Sequence, residues 1–383
     1  MPAGTVLFSS RAPVGYVAIA ANPVCTNQGF KSFVLRPDLL PDYIYYYLQR
    51  AKELVLSLAS GTTFLEVSGA RARGIPFALA PLPEQQRIVA AIETQFTRLD
   101  AAVAALERVR ANLKRYRASV LKAGLNGYAY PAEQHTLGDL AVLITSGSRG
   151  WARYYFETGP VFVRAQDINT DRLRLDSIAR VRLPEGAEGT RTRVQPGDLL
   201  ITITGANVTK TALVTHGIGE AYVSQHVALV RLKDHSNAKF IHYFLTSPAH
   251  ARKVLEKMAY GAGKPGLNLS QLRGLLIDLP TPSDQNALTM ALERKLSVLD
   301  TVETAVSSRL KRASLLRQSI LKRAFEGKLV PQDPDDEPAS VLLDRIRSDR
   351  QSATGRGTAS GPGRRGRSRK VETASRSLIE VTT

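Results

Sequence analysis

The feature that most constrains this chain is a long amphipathic stretch that occurs twice. From Pro81 the sequence reads PLPEQQRIVAAIETQFTRLDAAVAALERVRANLKRYRASVLKAGLNGYAYP, ending at Pro131. The pattern returns 200 positions later without a gap. Gln85 falls on Gln285, Glu93 on Glu293, Leu99-Asp100 on Leu299-Asp300, Ser119 on Ser319, Leu121-Lys122 on Leu321-Lys322 and Gly127 on Gly327. Such register indicates internal duplication, with a period too long for a solenoid. Each repeat is therefore a globular unit plus a helix.

The helical reading rests on spacing. Apolar residues fall at Ile92, Phe96, Leu99, Val103, Leu106, Val109, Leu113, Tyr116 and Val120, close to the 3.5-residue period of a coiled-coil seam. Pro83 suits the first turn, Gly124 and Gly127 offer a stop, and Pro131 prevents continuation. At ~1.5 Å per residue the helix is about 60 Å long. Its apolar stripe needs a partner. The copy supplies one through Leu288, Leu292, Leu296, Leu299, Val302, Val306, Leu310, Leu316 and Ile320. Two unrelated surface helices are the alternative, but the duplication places both at equivalent points.

The segments before each helix also match. GTVLFS, VGYVAIA and FKSFVLR read as strands and Pro41 to Leu58 as helix. LAVLITSG, PVFVRAQDI, DLLITITG, TALVTHG and HVALVRLK read as strands of the second globular unit, followed by a helical AKFIHYFLTSPAHARKVLEKM, a loop AYGAGKPGLNLS and the segment LRGLLIDLP. Gly4-Thr5-Val6-Leu7 matches Gly197-Asp198-Leu199-Leu200, and Asn27-Gln28-Gly29 matches Ser224-Gln225-His226. Tyr45 to Leu48 matches His242 to Leu245, and Arg73-Gly74-Ile75 matches Arg273-Gly274-Leu275. Residues 135–196 have no counterpart before Met1, so the first unit is expected to lack its front part. The tail from Gln332 opens acidic, includes a helical run VLLDRIRSDR and becomes TGRGTASGPGRRGRSRK, a composition that implies disorder.

The formal net charge is +18 and the pI about 10.1, which points to a polyanionic partner, nucleic acid first. A basic tail on an ordinary protein is the plain alternative, but Arg and Lys are also dense in the helices and in 135–280. The single cysteine, Cys25, excludes a disulfide framework and zinc spacing and fits a reducing cytoplasm. No run reaches the ~18 apolar residues of a membrane span, and no signal-peptide pattern opens the chain. Catalytic signatures are missing. GAGKPG at 261–266 lacks the phosphate-loop spacing, no HExxH occurs, and Asn22-Pro23-Val24-Cys25 reads as a turn rather than an amino-methylating motif.

With these residues in place, the chain resembles the specificity subunit of type I DNA restriction–modification systems. The resemblance rests on the duplicated unit-plus-helix order and on Leu82-Pro83-Glu84-Gln85-Gln86 at the start of the first helix. The internal Leu-Asp and the Ser-x-Leu-Lys near each helix end add to it, as do GDLLITITGANV, AYVSQHVALVRLK and AGKPGLNLSQLRGLLIDLPTP. It covers residues 1 to about 331. It implies an α/β (α+β) fold: two globular target-recognition domains with curved mixed sheets, separated by two long helices that pair as an antiparallel coiled coil. The expected division is 1–80 for a partial first target-recognition domain and 81–131 for the first spacer helix. Residues 132–280 form the complete second domain, 281–331 the second helix and 332–383 a basic disordered tail.

The resemblance further implies a non-catalytic, cytoplasmic subunit that reads a bipartite target in double-stranded DNA. It would recruit modification subunits, which use S-adenosylmethionine, and restriction subunits, which use ATP and Mg. No cofactor belongs to the chain itself and no membrane is involved. Candidate DNA contacts lie in the loop Ser148, Arg149, Trp151, Arg153 and Tyr154, which mixes glycine, arginine and aromatics. Arg164, Gln166, Thr204, Asn207, Lys210 and Lys264 are further loop candidates. Core aromatics and a solvated Arg face are the competing reading. Gln225 and His226 suit a structural hydrogen bond equally well. Two other functions stay open. One is a non-reading scaffold or degenerate fragment that holds modification subunits through its helices. The other is a catalytic nuclease or methyltransferase.

Overall fold

The computed structural model describes residues 1–11, 13–60, 65–126, 131–184, 189–259, 265–355 and 380–382. The chain forms two compact units, one from 1–107 with 307–383 and the other from 108–306. Both combine antiparallel sheet, short helices and part of each long helix.

In the first unit the sheet runs Val17–Ile19, Val6–Ser9, Phe30–Val34 and Glu380–Thr382, all antiparallel. Val6, Phe8 and Phe33 face a core shared with Tyr43, Ile44, Leu48 and Val55. The predicted helix over 41–58 is two helices, Pro41–Arg50 and Lys52–Ser57, broken at Ala51. Ile88, Ile92 and Phe96 of one long helix and Ile320, Leu321 and Ala324 of the other close this core. The helical run expected in the tail is Ala339–Gly355. It is not a free tail: Leu342 and Ile346 are buried, Arg87 donates to Asp336 at 2.5 Å and Arg36 to Asp349 at 2.7 Å. The Gly/Ser/Arg run that follows lies outside the described residues.

In the second unit the four-stranded antiparallel sheet runs Thr211–Leu213, Leu199–Thr202, Val227–Leu232 and Ala141–Ser146. Strand alternation splits its side chains between two cores. Leu199, Ile201, Ala228 and Val230 pack against the helices Ala238–Thr246, Ala251–Met258 and Leu269–Arg273. Leu200, Val227 and Leu229 pack against a second, mixed sheet. That sheet holds Tyr155–Val163 between Ala221–Val223, parallel, and Arg180–Val181, antiparallel. The helical run predicted over 238–258 is interrupted at Ser247-Pro248.

The long helices are Leu82–Asn126 and Pro282–Phe325. The first continues through Gly124 rather than stopping there. A Cβ on Gly124 would lie 2.4 Å from Leu292 Cδ2, so the glycine admits a close approach. Within each unit the two helices run antiparallel, and the predicted seam is corrected at matching points. Tyr116 is 59% exposed and Leu316 49% exposed. The residues after them turn inward instead: Arg117 binds Asp300 and Glu303 in the second unit, and Arg317 binds Asp100 in the first. A straight helix drifts against a strict 3.5-residue period, and here the drift brings an arginine to the seam opposite an aspartate. Val109 and Val302 are also exposed, 40% and 37%.

The duplication is visible in single side chains. Gln85 is fully buried. Its amide nitrogen donates to Asp38 O at 3.0 Å and Ala80 O at 2.8 Å, and its oxygen accepts from Leu40 N at 2.9 Å. Gln285 donates to Pro280 O at 2.8 Å in the same way. Gln85→Ala should destabilise the first unit by about 2 kcal/mol, because three backbone groups lose a buried partner. Urea unfolding followed by circular dichroism checks this; an unchanged midpoint would contradict it.

Candidate nucleic-acid interface

Four strand ends of the second unit meet at one rim. Gly147, after Ala141–Ser146, donates its backbone N–H to Ser224 O at 3.2 Å. Ser224, after Ala221–Val223, donates to Val163 O at 2.8 Å. Ile203, after Leu199–Thr202, donates to His226 O at 2.9 Å, and Asn207 Nδ2 to Ala165 O at 3.1 Å. Gly205 N binds Pro265 O at 3.2 Å. The close packing depends on glycine at 147, where a Cβ would lie 2.0 Å from Val223 O. The loops singled out in the sequence are thus neighbours in space, although they are spread over 118 residues from 148 to 265.

Their side chains do different things. Arg149 and Arg153 are exposed, and the Arg153 guanidinium sits 4.8 Å from the centre of the half-buried Tyr154 ring. Ser148 is half-buried with no partner for its hydroxyl. Trp151, predicted as a contact, is 6% exposed; it stacks on Phe162 at 5.7 Å and meets Tyr222 edge-on. It is core support for the loop and has no free face for a base.

Arg164 is held internally: Nε and Nη2 donate to Asp167 at 3.0 and 2.9 Å, and Nη2 to Ser177 O at 2.6 Å. The hydrogen bond to Asp167 raises its pKa further. Gln166 is exposed, its amide oxygen turned to Arg164 Nη1 and Nη2 at 3.1 Å. Thr204 is half-buried and pairs by backbone with Gly266. Asn207 braces Ala165, and Lys210 Nζ lies 3.9 Å from Asp171. Lys264 lies outside the described residues. Gln225 and His226 bond each other at 3.1 Å.

Sequence reasoning missed a neighbouring surface on the mixed sheet. Tyr155 and Phe156 are 47% and 48% exposed, and Arg182 lies 3.8 Å over the Phe156 ring. The signal was Arg180-Val181-Arg182, two arginines on one strand face, beside the aromatic pair. A surface of arginines, aromatics and loop amides offers phosphate contacts and base-edge or stacking contacts together. Among the described residues no group of three or more His, Cys, Asp or Glu is placed to hold a metal ion, and no helix is long and apolar enough to cross a membrane.

Comparison with known proteins agrees with this geometry. The family model "Type I restriction modification DNA specificity domain" matches residues 1–108. The chain is 24% identical over 375 residues to the type I restriction enzyme EcoBI specificity subunit of Escherichia coli, covering 88% of this chain and 77% of that protein. It is 24% identical over 378 residues to the EcoKI specificity subunit of Escherichia coli strain K12, covering 91% and 80%. A solved chain from work on complex assembly and conformational transition of the type I R-M system superimposes with a TM-score of 0.58 at 20% identity, covering 86% and 83%, and shares the fold. Duplicated units, paired long helices and likeness over most of the length coincide: the chain is similar along most of its length to specificity subunits of type I restriction–modification systems, and residues 1–108 match that family's DNA specificity domain.

Proposed function

We propose that the chain reads DNA sequence for a type I complex, directing adenine methylation and DNA cleavage by modification and restriction subunits. In this reading 132–280 is one target-recognition domain, 1–80 belongs to another, and 81–131 with 281–331 are the spacer helices. Each domain addresses one half of a bipartite target. S-adenosylmethionine, ATP and Mg act on the partner subunits, and the complex works in the cytoplasm.

The observation that carries the reading is the convergence of four strand ends into one rim bearing Arg149, Arg153 and Tyr154. Arg149 and Arg153 are assigned to phosphates or guanines. Gln166, Ser148 and Thr204 are assigned to base edges. Arg164, Asn207, Lys210 and Trp151 hold the loops in place. Lys264 is proposed with them from its sequence position next to Pro265.

Selection from random duplexes by the chain together with its methylating partner tests this. Enrichment of a half-site or bipartite motif is expected; complex formation with no enriched sequence would favour a non-reading scaffold. Substituting Arg149 and Arg153 together by alanine should lower the slope of log K against log salt by about 2, near 0.9 per lost phosphate contact. An unchanged slope would remove both residues from the interface.

A further inference from the structure

The two four-stranded sheets have the same strand order, but the first obtains its last strand from the other end of the chain. Mirrored hydrogen bonds fix the equivalence. Ser10 N donates to Gly29 O at 2.8 Å where Ile203 N donates to His226 O at 2.9 Å. Val67 N donates to Ser10 O at 2.9 Å where Leu267 N donates to Ile203 O at 2.8 Å. Gly15 N and Thr209 N donate to Ser9 O and Thr202 O, both at 2.9 Å. Strand Phe30–Val34 thus corresponds to the start of Val227–Leu232, with Ser32 on Leu229 and Phe33 on Val230.

In the second unit Thr145 pairs with Leu229 and Ile144 with Val230. In the first, Thr382 pairs with Ser32 and Val381 with Phe33, also antiparallel. The C-terminal strand therefore takes the seat of Ala141–Ser146 in the same register. Its sequence matches the seat as well: Val381-Thr382 stands against Ile144-Thr145. A third correspondence is independent of both. The C-terminal strand lies along helix Gly69–Arg73 as Ala141–Ser146 lies along helix Leu269–Arg273.

We propose that the outer edge of Phe30–Val34 is a β-strand acceptor site whose occupant is the chain's own C-terminal strand. An exposed strand edge presents a row of unpaired N–H and C=O groups and invites pairing with another chain. The C-terminal strand covers that edge by β-addition, in which main-chain hydrogen bonds give the affinity. The sheet of the first unit is completed by residues 380–382, whereas the second closes with a strand local to it. This does not depend on how the protein reads DNA.

Backbone amide exchange, followed by mass spectrometry on the full chain, tests the assignment. One variant lacks 377–383; the other carries Thr382→Pro, which removes the donor opposite Ser32 and fixes φ. In both, amides of the peptide covering 30–34 should exchange about tenfold faster or more, with those of 227–232 unchanged as the internal reference. A synthetic peptide of residues 376–383 should restore protection in the deletion variant. Unchanged exchange at 30–34, equal acceleration in both sheets, or failure of the peptide to restore protection would each overturn the proposal.

Discussion

Asp171→Asn should cost the second unit about 3 kcal/mol, because it strands a buried guanidinium. Asp171 accepts from Thr211 N at 3.0 Å, faces Lys210 at 3.9 Å and binds Arg252 Nη2. The Arg252 side chain is 5% exposed and that of Asp171 25%, so the arginine has no water to turn to, while the aspartate keeps some. That partial exposure places the loss at the lower end of the ~3–5 kcal/mol expected when a buried pair is broken from one side. Asparagine is the informative replacement. Thr170 and Asp171 have φ of 52° and 60° in the turn joining Ile168–Asn169 to Arg172–Leu173. Asn tolerates that left-handed conformation, so only the charge changes. Trp151 is the only tryptophan and lies in the same unit, so its fluorescence during urea unfolding reads this unit alone. A midpoint within error of the parent would mean that Arg252 finds another partner.

The same network explains an asymmetry between the repeats. Thr209, φ 72°, and Gly15, φ 96°, occupy equivalent turns. Arg252 donates to the Thr209 hydroxyl at 3.1 Å, while the equivalent Lys52 lies 5.5 Å over the Tyr16 ring. A β-branched residue in the left-handed region is strained, and in the second unit its hydroxyl offsets part of that strain by binding a buried cation. Asp171 belongs to the 135–196 segment that has no sequence counterpart in the first unit. There the turn has glycine and the lysine needs no carboxylate. Asp300 follows suit: it binds both Arg117 and Arg172, whereas Asp100 binds Arg317.

Much of this was legible in the sequence because it is periodic or repeated. The long helices begin within two residues of the predicted start, and the apolar β-branched runs became strands. What escaped notice depends on partners distant in sequence. Ala132–Thr136, AEQHT, has no strand signature and is a strand because Leu276–Pro280 pairs with it. Arg117 and Arg317 carry no apolar signal, and only the opposing carboxylates bring them inward. The candidate loops were singled out by composition, but composition does not tell an exposed side chain from a bracing one. Arg153 and Arg164 look alike as letters; Asp167, three residues beyond Arg164, occupies that guanidinium. Trp151 was a candidate contact because Phe162 and Tyr222, which enclose it, lie 11 and 71 positions away.

The second large effect is a loss of stability on acidification, centred on His242. This side chain sits on the helix Ala238–Thr246, lines a cleft of about 460 Å³ with Asp171, Arg172, Lys239, Tyr243 and Glu293, and has a buried Nδ1 without a partner. Burial pushes its pKa down to about 4; the Asp171 charge favours the proton, and Arg252 and Arg172 oppose it. In the unfolded chain the imidazole titrates near ~6.5. The folded value is therefore the depressed one. Above the unfolded pKa both states are neutral and the native state is not penalised. As pH falls below it, the unfolded chain takes up a proton that the native chain refuses, and stability drops until the folded pKa is reached. The full loss is on the order of 3 kcal/mol. Carboxylates also titrate toward the lower end of this range, so the comparison must isolate one group. His242→Gln keeps a polar side chain of similar length and has no proton to bind. The difference in urea midpoint between the parent and this variant, read by Trp151 fluorescence, should shift steadily against the parent from about pH 7.5 to about pH 4.5. Parallel profiles would show that the imidazole is not held neutral by the fold. Asp171→Asn removes the one charge that favours the proton, so in that background the His242 pKa should fall further and the loss should continue to lower pH.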